Sequence, residues 1–271
     1  MSDTFRLTEY LQRIGIDGPV KPNLPTLAAI RAAHVDAIPF EGLDPFLGRH
    51  VKLDLASIQQ KMLFNRRGGY CFEQNTLLKA ALETIGFTVT GLGGRVRWMS
   101  PPKSPLGPRS HMLLKIDLPT GSYFADVGFG AFLLDRPLPF QTEVEHGTAM
   151  GKFLLTEADG MLSLNVKQTA GWRTAYVFNL EPQIESDYEL ANWYTSTSPN
   201  VPFVSTLIIE RLASGRRYKL VNNRFIIETR DGEVAEDRVI DSADEFGRLL
   251  DETFHISPPA SVQEIFARFG G

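Results

Sequence analysis

The chain holds one cysteine, Cys71, in the stretch RRGGYCFEQN. A thiol does acyl chemistry as its thiolate, and an unperturbed thiol is mostly protonated at neutral pH. A helix N-terminus favours the anion through its partial positive charge and unpaired N–H groups. Cys71 opens a strongly helical run, so it stands at such an end. Its own N–H is placed to donate to the oxyanion formed on an attacked acyl carbon. Gly68 and Gly69 would let the chain turn tightly there and let a substrate reach the backbone. Against this stands the common fate of a free cysteine, which is to pack as a small buried hydrophobe.

A nucleophilic thiol also needs a base, and the base needs a group that orients it. There are five histidines. His34 lies inside a helical stretch, His50 sits beside Arg49 in a polar loop, and His146 falls in the exposed stretch EVEHGT. His255 follows a C-terminal helix and suits a C-terminal cap. His111 opens the strand HMLLKIDL directly after a proline-rich loop. Asp126 interrupts the apolar stretch YFADVGFG at the end of the next strand. If Pro119–Ser122 is the turn, His111 and Asp126 lie at the open ends of paired strands, within side-chain reach. An acid in an apolar strand needs a partner. A strand-end histidine and an aspartate capping the turn at Gly128 and Gly130 would fit the same pattern. Strand logic alone therefore leaves a Cys–His–Asp site and plain packing both open.

The elements that must position these residues follow from periodicity. Phe5, Leu7, Tyr10, Leu11 and Ile14 share one helical stripe, ended by Gly15. PTLAAIRAAHVDAI and DLASIQQKMLF read as helices, the second capped by Asp54. Leu77, Leu78, Ala81, Leu82 and Ile85 make one face of the helix after Cys71, closed by Gly86. Beyond Gly86 the period shifts to strands, with hairpin turns at Pro119–Ser122 and Asp159-Gly160. A short helix near IESDYELANWY comes next. The strands VSTLIIERL, RRYKLVNN and RFIIET follow, turning at Asn222-Asn223 and Asp231-Gly232. Two terminal helices carry capping-box serines, Ser242 with Glu245 and Ser261 with Glu264. The expected fold is α+β. A helical domain over residues 1–86 carries the thiol, an antiparallel barrel-like domain over 87–190 carries His111 and Asp126, and an α/β lid spans 191–271.

Composition excludes several classes. A single cysteine rules out an internal disulfide and cysteine-rich zinc sites, and no metal is expected. A net charge of −4 gives no electrostatic reason to bind nucleic acid or an anionic membrane. The N-terminal MSDTFRLTEYLQRIGI is not a signal peptide, and no apolar run approaches the ~18 residues of a membrane span. With a free thiol, the expectation is a cytoplasmic protein.

The motifs resemble those of the arylamine N-acetyltransferases. RGGYCFEQN (67–75) is similar to that family's cysteine signature, AIPFEGL (37–43) to its P-F-E motif, and HMLL and ADVGFG to the segments holding its histidine and aspartate. TIGFTVTGLGGRV and YTSTSPNVPF resemble further family segments. The resemblance implies a papain-like arrangement with Cys71, His111 and Asp126 as a catalytic triad. It implies acetyl transfer from acetyl-CoA to an arylamine or arylhydrazine by a ping-pong route through an acetyl-cysteine. It also implies an acceptor pocket lined by Phe40, Val96 and Phe129, and CoA contacts from Leu106, Gly107, Phe203 and Thr206. Glu41 and Arg67, both in motif segments, read as a structural ion pair joining the exit of the second helix to the cysteine loop. Glu73 and Asn75 read as helix-face or packing residues. A transglutaminase-like transferase or hydrolase, an amide synthase with another acyl donor, and a noncatalytic binding module with an inert thiol remain as alternatives.

Overall fold

The computed structural model describes residues 4–270 except 99, 102–103, 131–133, 135, 149–150, 169–170, 214 and 230–232. The expected turn at Asp231-Gly232 lies outside the described residues.

The first third is helical: α1 Leu7–Ile14, α2 Leu24–Ala37, α3 Leu43–Phe46, α4 Leu55–Gln59 and α5 Cys71–Ile85. Short polar side chains start two of these helices, α2 and α4. Asn23 accepts from the Thr26 N–H at 2.9 Å and Asp54 from the Ser57 N–H at 2.9 Å. Gly86 ends α5 at φ 105°, and the Phe87 N–H reaches back to the Leu82 carbonyl at 3.0 Å. A residue with a Cβ would be strained in that conformation.

A two-residue strand, β1 Phe40–Glu41, interrupts the helices. It pairs with β10 Ile208–Ala213, so a piece of the N-terminal third becomes one edge of a C-terminal sheet ordered β1-β10-β11-β12-β13. The remaining strands of that sheet are β11 Arg216–Val221, β12 Arg224–Thr229 and β13 Val234–Val239.

Among the described residues the middle of the chain forms one eight-stranded antiparallel sheet, ordered β5-β4-β3-β2-β9-β8-β7-β6. Its strands are β2 Thr88–Val96, β3 His111–Leu118, β4 Gly121–Ala125, β5 Leu138–Pro139, β6 Glu145–Thr148, β7 Gly151–Ala158, β8 Met161–Gln168 and β9 Gly171–Pro182. The sheet curls into a nearly closed, barrel-like form around Leu113, Phe124, Phe153, Leu164 and Phe178. Asp159 and Gly160 turn β7 into β8 with φ of 52° and 72°, the paired positive angles a tight hairpin requires. The fold is thus α+β, with helices packed against the outer face of a barrel-like sheet along β3.

Helices α6 Glu185–Thr197, α7 Pro202–Ser205, α8 Ala243–Arg248 and α9 Val262–Ala267 complete the chain. One expectation needs correction. The stretch VSTLIIERL does not run as a strand from its first residue: Val204 and Ser205 belong to α7, and β10 begins at Ile208. Pro202 explains this, since its fixed φ suits the first turn of a helix. The terminal serines also supply only half of each box. Ser242 accepts from the Glu245 N–H, while the Glu245 carboxylate turns to Arg238. Among the described residues no helix is long and apolar enough to cross a membrane.

Three apolar clusters hold these layers. The first joins the inner faces of α1, α2 and α5 to Met112, Leu114 and Ile116 of β3. It therefore fixes the start of α5 against the start of β3, where Cys71 and His111 stand.

Candidate active site

Cys71 is the first residue of α5, so its N–H is one of that helix's orphan donors. Gly68 and Gly69 bring the chain to it, and neither takes a positive φ. Their need is space rather than turning freedom. A Cβ on Gly68 would overlap the Pro39 carbonyl, and one on Gly69 would lie 2.6 Å from Glu73 Oε2. Glu73 in turn accepts from the Tyr70 N–H at 3.2 Å, satisfying a donor at the helix start.

The Cys71 thiol is 5% exposed. It contacts the Ser110 carbonyl at 3.7 Å and is hydrogen-bonded to the His111 imidazole. The other ring nitrogen, Nε2, donates to Asp126 Oδ2 at 2.6 Å, which leaves Nδ1 for the thiol. Both side chains are buried. Burial by itself would lower the affinity of His111 for a proton. The Asp126 carboxylate and its hydrogen bond overcome this, as does Cys71, and His111 is pushed up to about 10. Burial would likewise raise Asp126. The His111 charge and hydrogen bond, with donors from Asn75 and Gly128, hold it below the usual carboxylate range.

Asp126 is surrounded by donors. Tyr176 Oη donates to Oδ2 at 2.9 Å, Asn75 Nδ2 to Oδ1 at 3.0 Å, and the Gly128 N–H to Oδ1 at 2.8 Å. Arg31, also buried, donates to its backbone carbonyl at 3.1 Å. Asn75 further ties Met112 and Val127 to α5 through their backbone groups. Neither Tyr176 nor the function of Asn75 follows from the sequence reading. A signal for Asn75 was present: it lies four residues after Cys71 and so on the same helix face. A Cβ on Gly128 would sit 2.5 Å from Cys71 Cα, so only glycine lets the Asp126 loop close on the nucleophile's helix.

The thiol opens into a cavity of about 240 Å³ lined by Phe40, Val96, Trp98, Phe129, Phe203 and Ile208 among others. The Phe129 ring stands edge-on to His111 at 5.0 Å, and Phe40 and Phe203 lie 5.9 Å apart. Phe40, Val96, Phe129 and Phe203 are thus brought together around Cys71. Leu106, Gly107 and Thr206 are not among the lining residues. Leu106 is exposed, the Gly107 carbonyl accepts from Arg95 at 2.6 Å, and Thr206 closes α7 through its N–H.

Of the other histidines, His34 is a satisfied core residue between Tyr10 Oη and Gln74 Oε1, and burial lowers it to about 4. His255 bonds the Asp251 carbonyl at a helix end.

Behind the cysteine loop lies a buried charge cluster. Arg67 Nε donates to Glu41 at 2.7 Å and Nη2 to Asp44 at 3.1 Å. Lys61 bridges Asp44 at 2.6 Å and Glu73 at 2.7 Å. Arg67→Ala leaves the buried Glu41 with only the Leu43 N–H at 2.8 Å and Lys61 at 4.0 Å among the described residues. We expect it to cost ~3–5 kcal/mol in urea unfolding, read as a lower midpoint at unchanged slope.

A family model described as N-acetyltransferase matches residues 23–261. The arylamine N-acetyltransferase of Mycolicibacterium smegmatis is 40% identical over 214 residues, 78% of either chain. That of Escherichia coli is 35% identical over 250 residues, covering 92% of this chain and 88% of the relative. The solved structure of the Mycobacterium marinum enzyme in complex with CoA superposes with a TM-score of 0.92 at 31% identity, covering 97% of this chain and 98% of the other. With the family model spanning most of the chain, relatives 35–40% identical over most of their length and the whole fold superposable, the chain belongs to the arylamine N-acetyltransferase family.

Proposed function

We propose that the chain transfers an acetyl group from acetyl-CoA to an arylamine or arylhydrazine nitrogen through an acetyl-Cys71 intermediate, in the cytoplasm and without a metal. The observation that carries this reading is the line from the Cys71 thiol through His111 to Asp126 at the floor of an apolar cavity. His111 takes the thiol proton, and Asp126 stabilises the imidazolium without being protonated itself. Cys71 Sγ then attacks the thioester carbonyl, and the Cys71 N–H faces the developing oxyanion. His111 returns its proton to the departing CoA sulfur, leaving the acetyl group on Cys71. An arylamine is weakly basic and mostly unprotonated at neutral pH, so it attacks the thioester directly. His111 accepts the proton it sheds, and the thiolate leaves. The thioester keeps the acetyl group activated, and the apolar walls limit competing attack by water.

On the proposed three-domain division, residues 1–86 supply the thiol, 87–190 supply His111 and Asp126, and 191–271 supply Phe203. Phe40, Val96 and Phe129 form the acceptor side of the cavity. Phe203 meets the donor on the other side, with Leu106, Gly107 and Thr206 at the outer approach for CoA. Incubation with acetyl-CoA and a panel of aromatic amines and hydrazines tests the reading. We expect CoA release beyond the single equivalent that acetylates Cys71 only when an acceptor is present, matched by acetylated product. Equally fast CoA release without acceptor would assign a hydrolase instead.

A further inference from the structure

Glu210 stands in β10, directly opposite Phe40 on β1 and Lys219 on β11. Directly paired residues share one face of a sheet. The Glu210 carboxyl therefore points to the side of the Phe40 ring, into the cavity that holds Cys71 and His111. It is 6% exposed, and its Oε2 has no hydrogen-bond partner among the described residues. Lys219 gives its ammonium to Glu228 at 2.7 Å instead, and Arg217 Nη1 lies 3.4 Å from the other Glu228 oxygen. Burial, opposed by Lys219 and Arg217 and aided by Glu228, pushes the carboxyl up to about 7.

Native structures leave few buried polar atoms unpaired, because each costs stability. Here the unpaired oxygen lies in a cavity whose other walls are mostly rings and aliphatic groups. Apolar walls with one placed polar group are the build of a ligand pocket. We propose that Glu210 sets acceptor specificity by accepting a hydrogen bond from a second O–H or N–H donor on the aromatic ring, away from the reacting nitrogen. This rests on the reading above, in which the cavity receives an arylamine or arylhydrazine. The preferred acceptor class is then an aromatic amine bearing a hydroxyl or amino substituent.

The test compares acceptors of similar nucleophilicity. Meta- and para-aminophenol carry the donor, and meta- and para-anisidine have a methoxy group in its place. In a ping-pong reaction the acceptor kcat/KM reports the second half-reaction alone. The ratio between two acceptors on one protein is therefore free of the acetyl-CoA step. At pH 8.5, where the Glu210 carboxyl is charged, the unmutated protein is expected for at least one isomer pair to favour the aminophenol by about tenfold or more, in keeping with a hydrogen bond to a charged group. Glu210→Met and Glu210→Leu, close in shape but without the acceptor, are expected to bring that ratio near one. Their Tm should be no lower than that of the unmutated protein, since a buried unpaired carboxyl is gone. No preference in the unmutated protein, or a preference that survives both variants, overturns the proposal. So does a lower Tm with an unchanged ratio, which would assign Glu210 to the fold. Absence of any acceptor-dependent CoA release is a separate result: it removes the parent reading and this one with it.

Discussion

Cys71→Ser is expected to keep the fold and to lower acetyl transfer by on the order of 10³-fold or more. The thiol is buried, and its polar neighbours are the Ser110 carbonyl at 3.7 Å and the His111 ring. Exchange of sulfur for oxygen there leaves no large void, so stability is expected to change by about 1 kcal/mol or less. The chemistry changes far more. Asp126 holds His111 as a strong proton acceptor, up to about 10, so at neutral pH the imidazole carries a proton. A thiol can supply that proton and remain as thiolate, ready to attack. A hydroxyl is too weak an acid to do so. In the serine variant His111 takes its proton from solvent and then faces the hydroxyl as an acid, with no base left. Intact mass spectrometry after exposure to acetyl-CoA alone checks this directly. The unmutated chain should gain one acetyl group, and Cys71→Ser none. Near-normal transfer by the serine variant would remove Cys71 as the nucleophile.

What the sequence disclosed and what it hid divide along physical lines. Cys71, His111 and Asp126 stood out as candidates because each sits at an element boundary with a local signal: a helix start after two glycines, a strand start after prolines, an acid at an apolar strand end. The hairpin at Pro119–Ser122 joined the last two. Local logic left plain packing just as open, and only the resemblance of the segments around them implied one site. Helix ends at Gly15 and Gly86 were equally local. Tyr176 and Glu210 were not legible, since their places depend on strand order. Tyr176 reaches Asp126 only because β9 returns beside β2 rather than extending the meander. Glu210 faces the cavity only because the two residues of β1 pair with β10. Pairing partners so distant in sequence leave no periodic mark in either strand. Gly68 and Gly69 were noticed for turning freedom, whereas their use is close approach to Pro39 and Glu73. Composition registers a glycine and says nothing of what presses against it. Asn75 was visible as a motif member on the cysteine's helix face. Its partner, a carboxylate on another element, was not.

Asp126→Asn is expected to lower acetyl transfer by roughly 10³- to 10⁴-fold with the cavity intact, as loss of the orienting acid does in other triads. The reason lies in the donors around it. His111 Nε2, Tyr176 Oη, Asn75 Nδ2 and the Gly128 N–H all aim protons at this carboxylate. An asparagine can offer its oxygen to one side only. The Gly128 N–H is fixed by the backbone, so the oxygen goes there and the NH2 faces His111. Nε2 must then act as acceptor, which moves the ring proton to Nδ1. That is the nitrogen facing the thiol, so the neutral ring can no longer take the thiol proton. The effect on stability carries a sign that can be read separately. The raised affinity of His111 stabilises the fold fully below its ordinary value of 6.5, and this is lost as pH rises through about 10. The lowered Asp126 contributes above its ordinary value of 3.8, and this is lost as pH falls below it. Asp126→Asn removes both contributions. Urea unfolding of the unmutated chain is expected to weaken toward alkaline and acid pH, and the variant should show a shallower dependence at both ends. Iodoacetamide labelling of Cys71 at neutral pH should slow in the same variant. Labelling as fast as in the unmutated chain, with transfer within tenfold of normal, would show that His111 does not depend on Asp126.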